Sequence, residues 1–272
     1  MIQFRNEHMT VFQSALFQTT STVIQTKDMV LIVDPNWLPG EIERIVNYVN
    51  EIKGDRPLYL LFTHGDFDHI IGYKAFPGAI TIGSKGLSEH PQKERKLSLI
   101  RNFDAEHYIQ RGYPVQFPDL DVMVSEDAQQ LKVGETALTF YLAPGHTEDG
   151  LFTVVEPMGV LIAGDYLSDF ELPFIYHSAQ AYKQTLHTAQ QIMERHSVVL
   201  LVPGHGQTAT NREEMQRRLD LASRHLEKLI QAVMAKDENA IAALGREHAF
   251  PSSFTEECHR ENVRIIEKEF AG

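Results

Sequence analysis

At 272 residues, with 43% hydrophobic and 23% charged side chains, the chain has the makeup of a globular protein with a sizeable core. Lysine and arginine total 25 against 37 acidic residues, and the formal net charge of −12 argues against nucleic acid as a partner. No apolar run is long enough to span a bilayer, the polar start MIQFRNEHMT lacks the features of a secretion signal, and the single Cys258 excludes a disulfide framework. A cytoplasmic protein with no membrane partner is expected.

Residues 22–25 and 29–33 are apolar or β-branched runs that predict two strands, broken at Asp34-Pro35-Asn36. Ile42, Ile45, Val46 and Val49 predict a helix over 41–52, closed by Gly54-Asp55 and Pro57. Residues 58–62 are a continuous apolar run suited to a buried strand, and Thr63-His64-Gly65-Asp66-Phe67-Asp68-His69 follows directly. A short helix runs on to Pro77-Gly78, and 79–82 reads as a further strand. The polar segment 84–121, helical around 93–102, reads as an insertion between the halves of the fold. Its Lys85, Lys93, Arg95, Lys96, Arg101 and Arg111, set against four acids up to position 111, read as a mixed surface. Gly83-Ser84-Lys85-Gly86 reads as turn chemistry rather than a phosphate loop.

Strands are expected at 131–133, 136–142, 151–155 and 160–163, then a helix over 179–196 and a buried strand at 198–202. Thr210-Asn211-Arg212-Glu213 has the form of a capping box, and Met215, Leu219, Ala222, Leu226, Leu229 and Val233 fall on one face of the helix it opens. Only helical patterns follow. The reading is of a catalytic domain over 1–210 and a helical extension over 211–272, the latter offering a surface for a homodimer.

Chemistry-bearing residues gather after the strand-like runs. His64, Asp66, Asp68 and His69 follow 58–62; His146 follows 136–142; Asp165 follows 160–163; His205 follows 198–202. A histidine after a strand is by itself no ligand, so only these four of the 13 histidines are assigned. Seven nitrogen and oxygen donors at strand ends can converge on one sheet edge, and such a set suits two metal ions sharing a bridging carboxylate.

This order and spacing resemble the metallo-β-lactamase superfamily, whose motif reads His-x-His-x-Asp-His followed by a distant His, Asp and His. The resemblance covers roughly residues 10 to 210 and implies an α/β fold, a four-layer αββα sandwich, here with a C-terminal helical extension. It implies His64, Asp66 and His146 at a first metal, Asp68, His69 and His205 at a second, and Asp165 between them. It implies Asp34, at the end of an early strand, as a brace for the metal loop. Two divalent ions, zinc before manganese or iron, are the implied cofactors.

Asp66 stands where the family usually has histidine. A carboxylate there makes the first site harder and more negative, which suits zinc but also manganese or iron. The implied activity is hydrolysis of a small ester, thioester, lactone or phosphoester by a metal-bridging hydroxide, with Asp68 orienting it and handling the proton. Two alternatives follow from Asp66: a non-haem iron oxidoreductase, flavodiiron-like or a dioxygenase, and a metal-binding protein with a weakened first site. A flavodiiron enzyme needs a flavin, and the helical tail has no flavodoxin-like pattern. Tyr166, Tyr176 and His177 are expected as hydrogen-bond donors to a small-molecule substrate.

Overall fold

The computed structural model describes residues 1–270. Seven strands build the first sheet in sequence order: β1 (Ile2–Arg5), β2 (Met9–Gln13), β3 (Thr20–Gln25), β4 (Val30–Val33), β5 (Leu58–Leu61), β6 (Ile80–Ser84) and β7 (Val122–Val124). The second holds β8 (Gln129–Val133), β9 (Thr136–Leu142), β10 (Leu151–Glu156), β11 (Val160–Ile162) and β12 (Leu200–Val202), in the spatial order β12-β11-β10-β9-β8. Helices α1 (Pro39–Lys53), α2 (Phe67–Ile70), α3 (Lys85–Ser88) and α4 (Lys93–Glu106) accompany the first sheet. Helix α5 (Ala179–Arg195) lies on the second, with α6 (Arg212–Met234), α7 (Glu238–Gly245) and α8 (Ser253–Phe270) beyond it.

Side-chain alternation explains why these strands read as continuous apolar runs. In β4, Leu31 and Val33 face the core between the sheets, whereas Val30 and Ile32 pack outward with Ile42 and Ile45 of α1. In β10 to β12, Val155, Ile162 and Val202 point into the same central core, and Val154, Leu161 and Leu201 point out toward α5. The central strands of each sheet are thus buried on both faces, so period-2 patterning there gives way to unbroken valine, leucine and isoleucine. The product is helix, sheet, sheet, helix: the αββα sandwich.

Three expectations need correction. Strands β1 and β2 precede the first strand that the sequence pattern announces, because MTVFQ and IQFR mix polar and apolar residues without turn signals. The segment 84–121 is not an insertion between the halves: it leaves β6 and returns as β7, which pairs parallel with β6 in the same sheet. The cap of α6 is Asn211, whose side chain accepts from the Glu214 amide, one residue beyond the expected Thr210. In the C-terminal extension, Met215, Leu219, Leu226, Ile265 and Ile266 of α6 and α8 share one apolar cluster with Tyr182, Leu186 and Met193 of α5. Among the described residues no helix is long and apolar enough to cross a membrane.

Candidate metal centre

Parallel pairing decides where the chemistry collects. Strands β4 and β5 run in the same direction, as do β11 and β12, so the loops that follow them open along a shared edge of the sandwich. Asp34 ends β4, His64 to His69 follow β5, Asp165 follows β11 and His205 follows β12; His146 joins them from the loop after β9.

Donor atoms converge there in three overlapping sets, each drawn within 4.8 Å: His64, Asp66 and His146; Asp68, His69 and His205; and His64, His69 and Asp165. Asp165 holds the middle. Its Oδ2 lies 3.6 Å from His64 Nε2, 3.2 Å from His146 Nε2 and 3.3 Å from His205 Nε2, and its Oδ1 lies 3.1 Å from His69 Nε2. Asp68 Oδ2 sits 3.5 Å from both His69 Nε2 and His205 Nε2. Asp66 Oδ2 is 3.5 Å from His146 Nε2 and 3.9 Å from His64 Nε2.

Each imidazole is turned by a hydrogen bond at its other nitrogen. His69 Nδ1 donates to Asp34 Oδ2 at 3.0 Å, His146 Nδ1 to the Phe174 carbonyl at 2.8 Å, and His205 Nδ1 to the Phe17 carbonyl at 2.9 Å. Thr63 Oγ1 donates to Asp34 Oδ2 at 2.6 Å, which leaves it as the acceptor for His64 Nδ1 at 3.0 Å. A proton fixed on Nδ1 leaves Nε2 as a lone-pair donor aimed at the centre. Asp34 also accepts the Thr63 amide at 2.9 Å and adopts φ 45°, so one aspartate in the left-handed region braces the whole loop.

The residues fit a pair of cations. His64 Nε2, His69 Nε2, His146 Nε2 and Asp165 Oδ1 are buried without any hydrogen-bond partner, a state costly for polar atoms unless something positive fills the gap. The electrostatics agree. Burial pushes the His146 imidazole down, but Asp165 and Asp66 outweigh it and hold its pKa up at about 10. Burial likewise opposes charge on His205, while Glu171 and Asp165 raise it to about 10. Burial raises Asp165, yet His205, His69 and His64 hold its carboxyl well below the usual range. Such a nest of carboxylates draws protons onto imidazoles until metal ions displace them.

Above the centre opens a cavity of about 790 Å³. Phe17, Leu99, Tyr176 and Phe254 line it and are substantially exposed, forming an apolar rim. Helix α8 contributes Phe254, Glu257, Cys258, Glu261 and Arg264 to one wall. Tyr176 and His177 line the cavity, with the Tyr176 ring edge-on to His146 at 5.3 Å. Tyr166 does not. Its hydroxyl accepts the His146 amide at 2.9 Å and lies 3.1 Å from the carbonyls of Ala143 and Pro144, so it is buried beneath the His146 loop as a brace.

Sequence reasoning missed Glu171 and Lys96. Glu171 lines the cavity, and burial, together with Asp165 and Asp68, pushes its carboxyl up to about 7 against the pull of His205 and His146. Its place three residues past Ser168, in an aromatic stretch, gave no signal. Lys96 of α4 pairs with Asp66 Oδ1, and the charge list of that polar segment hid it.

Comparisons with known proteins identify the family and the fold. The family model for the metallo-β-lactamase superfamily matches residues 15–205. A metallo-β-lactamase type 2 of Bacillus cereus is 24% identical over 212 residues, covering 77% of this chain and 75% of its own length. A probable metallo-hydrolase of Bacillus subtilis (strain 168) is 23% identical over 202 residues, covering 70% and 85%. Among solved structures, a metallo-β-lactamase family protein from Thermus thermophilus superposes with a TM-score of 0.65 at 18% identity, over 95% of this chain and 94% of that one. The stereoselective inverting sec-alkylsulfatase from Pseudomonas sp. gives 0.70 at 12% identity over 97% of this chain but only 50% of its own. With the family model spanning most of the chain and the same fold in its neighbours, the protein belongs to the metallo-β-lactamase superfamily.

Proposed function

We propose that this protein is a dinuclear metal-dependent hydrolase acting on a small ester, thioester, lactone or phosphoester with an apolar body. The observation that carries the reading is the convergence of four imidazole Nε2 atoms on Asp165, three of them buried and unpartnered. His64, Asp66 and His146 would hold one ion, Asp68, His69 and His205 the other, and Asp165 would serve both; zinc suits this mixture first. When bound, the ions supply Lewis acidity for the substrate oxygen and acidify a water.

The chain's own residues do the rest. Asp68, whose Oδ2 accepts from Thr19 Oγ1 at 3.4 Å, lines the cavity and takes the proton of the attacking water. That proton then passes to the leaving group. His177 and Tyr176, whose hydroxyl lies 3.0 Å from Cys258 Sγ, line the cavity and would steady the substrate. Phe17, Leu99 and Phe254 take the substrate's apolar part and shed water from it.

Asp66 favours a second reading, an iron oxidoreductase on the same centre, because a carboxylate-rich set is also suited to iron. Metal analysis by mass spectrometry of anaerobically purified protein, with a hydrolysis panel of the four substrate classes, separates the two. Two equivalents of zinc and chelator-sensitive hydrolysis are expected. Iron with oxygen consumption on adding an electron donor would replace the first reading with the second, and no hydrolysis with any divalent metal would remove it.

A further inference from the structure

Asp66 divides its two oxygens. Oδ2 faces His146 and His64, and Oδ1 pairs with the Lys96 ammonium. Lys96 reaches this point from α4, on the excursion between β6 and β7, and both side chains are largely shielded, at 18% and 14% exposed. The neighbouring cations of that segment behave differently. Arg95 bonds Gln92, Arg101 bonds Glu94, and Arg111 bonds Asp104 and the Trp37 carbonyl, none of them a residue of the centre. Lys96 alone among them crosses to a residue of the centre, and Asp66 is its carboxylate partner among the described residues.

A histidine at position 66 would offer one neutral donor. An aspartate offers two oxygens and a full negative charge. We propose that Lys96 is a positioning residue that limits Asp66 to a single oxygen toward the first metal subsite and cancels its added charge, so that the Asp66–Lys96 pair replaces one neutral imidazole. The inference rests on the metal centre proposed above. It makes the substitution at 66 a two-residue arrangement rather than a weakened ligand, and it explains why a lysine is held in a shielded position beside a group of would-be cation ligands, where its charge would otherwise only oppose the ions they hold.

The signs follow from charge. Lys96→Met leaves Asp66 uncompensated, and its second oxygen free, beside the first subsite. Asp66→His leaves the ammonium uncompensated beside a neutral donor set. Against a divalent ion at a shielded site the charge effect exceeds the rotamer freedom gained by one aspartate. The test is zinc binding to the full chain after metal removal, measured against a competing chromophoric chelator for both subsites. Lys96→Met is expected to tighten the weaker subsite about tenfold or more, Asp66→His to weaken it about tenfold or more, and the double variant to return to within about threefold of the unaltered protein. Lys96→Arg should stay near the unaltered value, and Lys96→Gln serves in place of Lys96→Met should the methionine variant fold poorly.

An affinity that falls in Lys96→Met, or a double variant that stays as weak as Asp66→His or as tight as Lys96→Met, would overturn the pairing. Two zinc ions bound by the unaltered protein with no response to Lys96→Met or Lys96→Gln would overturn it while leaving the metal centre standing. Fewer than two zinc ions in the unaltered protein would overturn the pairing together with the centre.

Discussion

Acidification should loosen the C-terminal helices through three histidines that are not among the candidate metal ligands. His225 of α6, His248 after α7 and His259 of α8 are buried, with ring centroids 6.0 Å apart for His225 and His248 and 6.1 Å for His248 and His259. His225 Nε2, His248 Nε2 and His259 Nδ1 have no hydrogen-bond partner. Burial, with His225 and His259 beside it, pushes His248 down to about 4, and Glu247 offsets this only in part. Burial also lowers His225, despite its bond to Glu247 and with His259 and Lys228 adding to the fall, and it lowers His259 against the Ile241 carbonyl. A histidine whose folded pKa lies below its unfolded one takes up a proton sooner when unfolded. Its contribution is therefore complete above about pH 6.5 and disappears as pH falls toward about 4. For His248 alone the loss by pH 5 is about 2 kcal/mol as an upper value, given partial solvent access to the ring. Urea denaturation of the metal-free full chain at pH 7.5 and pH 5.0, beside a His248→Leu variant that cannot titrate, isolates this group. The stability difference between the two proteins should shift by up to about 2 kcal/mol in the variant's favour on acidification. Parallel losses in both would refute the assignment.

Two further outcomes are expected. A Cβ at Gly204 would stand 2.2 Å from Asp165 Oδ1 and 3.0 Å from His69 Cε1, so Gly204→Ala should displace the shared carboxylate and bind about one zinc or none by mass spectrometry while keeping its far-ultraviolet circular dichroism. Asn262 of α8 is fully buried, donates to the Pro173 carbonyl at 2.6 Å and accepts the Ile175 amide at 2.8 Å. Asn262→Leu strands both backbone groups and should cost about 2–4 kcal/mol in urea denaturation.

How much was legible depended on what carries each role. Six of the seven candidate donors, and Asp34 behind them, lie at the ends of apolar runs whose parallel pairing brings them to one edge, and His146 follows the antiparallel β9, so residue type and position together announced them. The orienting partners of His146 and His205 are the carbonyls of Phe174 and Phe17, and a backbone carbonyl has no signature in side-chain chemistry. Tyr166 was misread because sequence adjacency to Asp165 says nothing of direction: Asp165 turns inward while the next side chain packs under α5's Tyr182 at 4.5 Å. Lys96 was hidden for a different reason. Its partner lies 30 positions earlier, and only the return of the excursion against α2 brings them together.

The second subsite has a consequence for the order of folding. Its His205 turn is tied to the start of β3 through the bridge between Thr19 and His205, the Thr20 amide on the Gly204 carbonyl at 2.7 Å and the Thr20 hydroxyl on the Pro203 carbonyl. These contacts join positions 186 apart for Thr19 and His205, and closing so long a loop comes after local structure has formed. The donors of this subsite therefore meet only once both sheets have docked, which makes the late-assembled centre a reporter of completed folding rather than its nucleus.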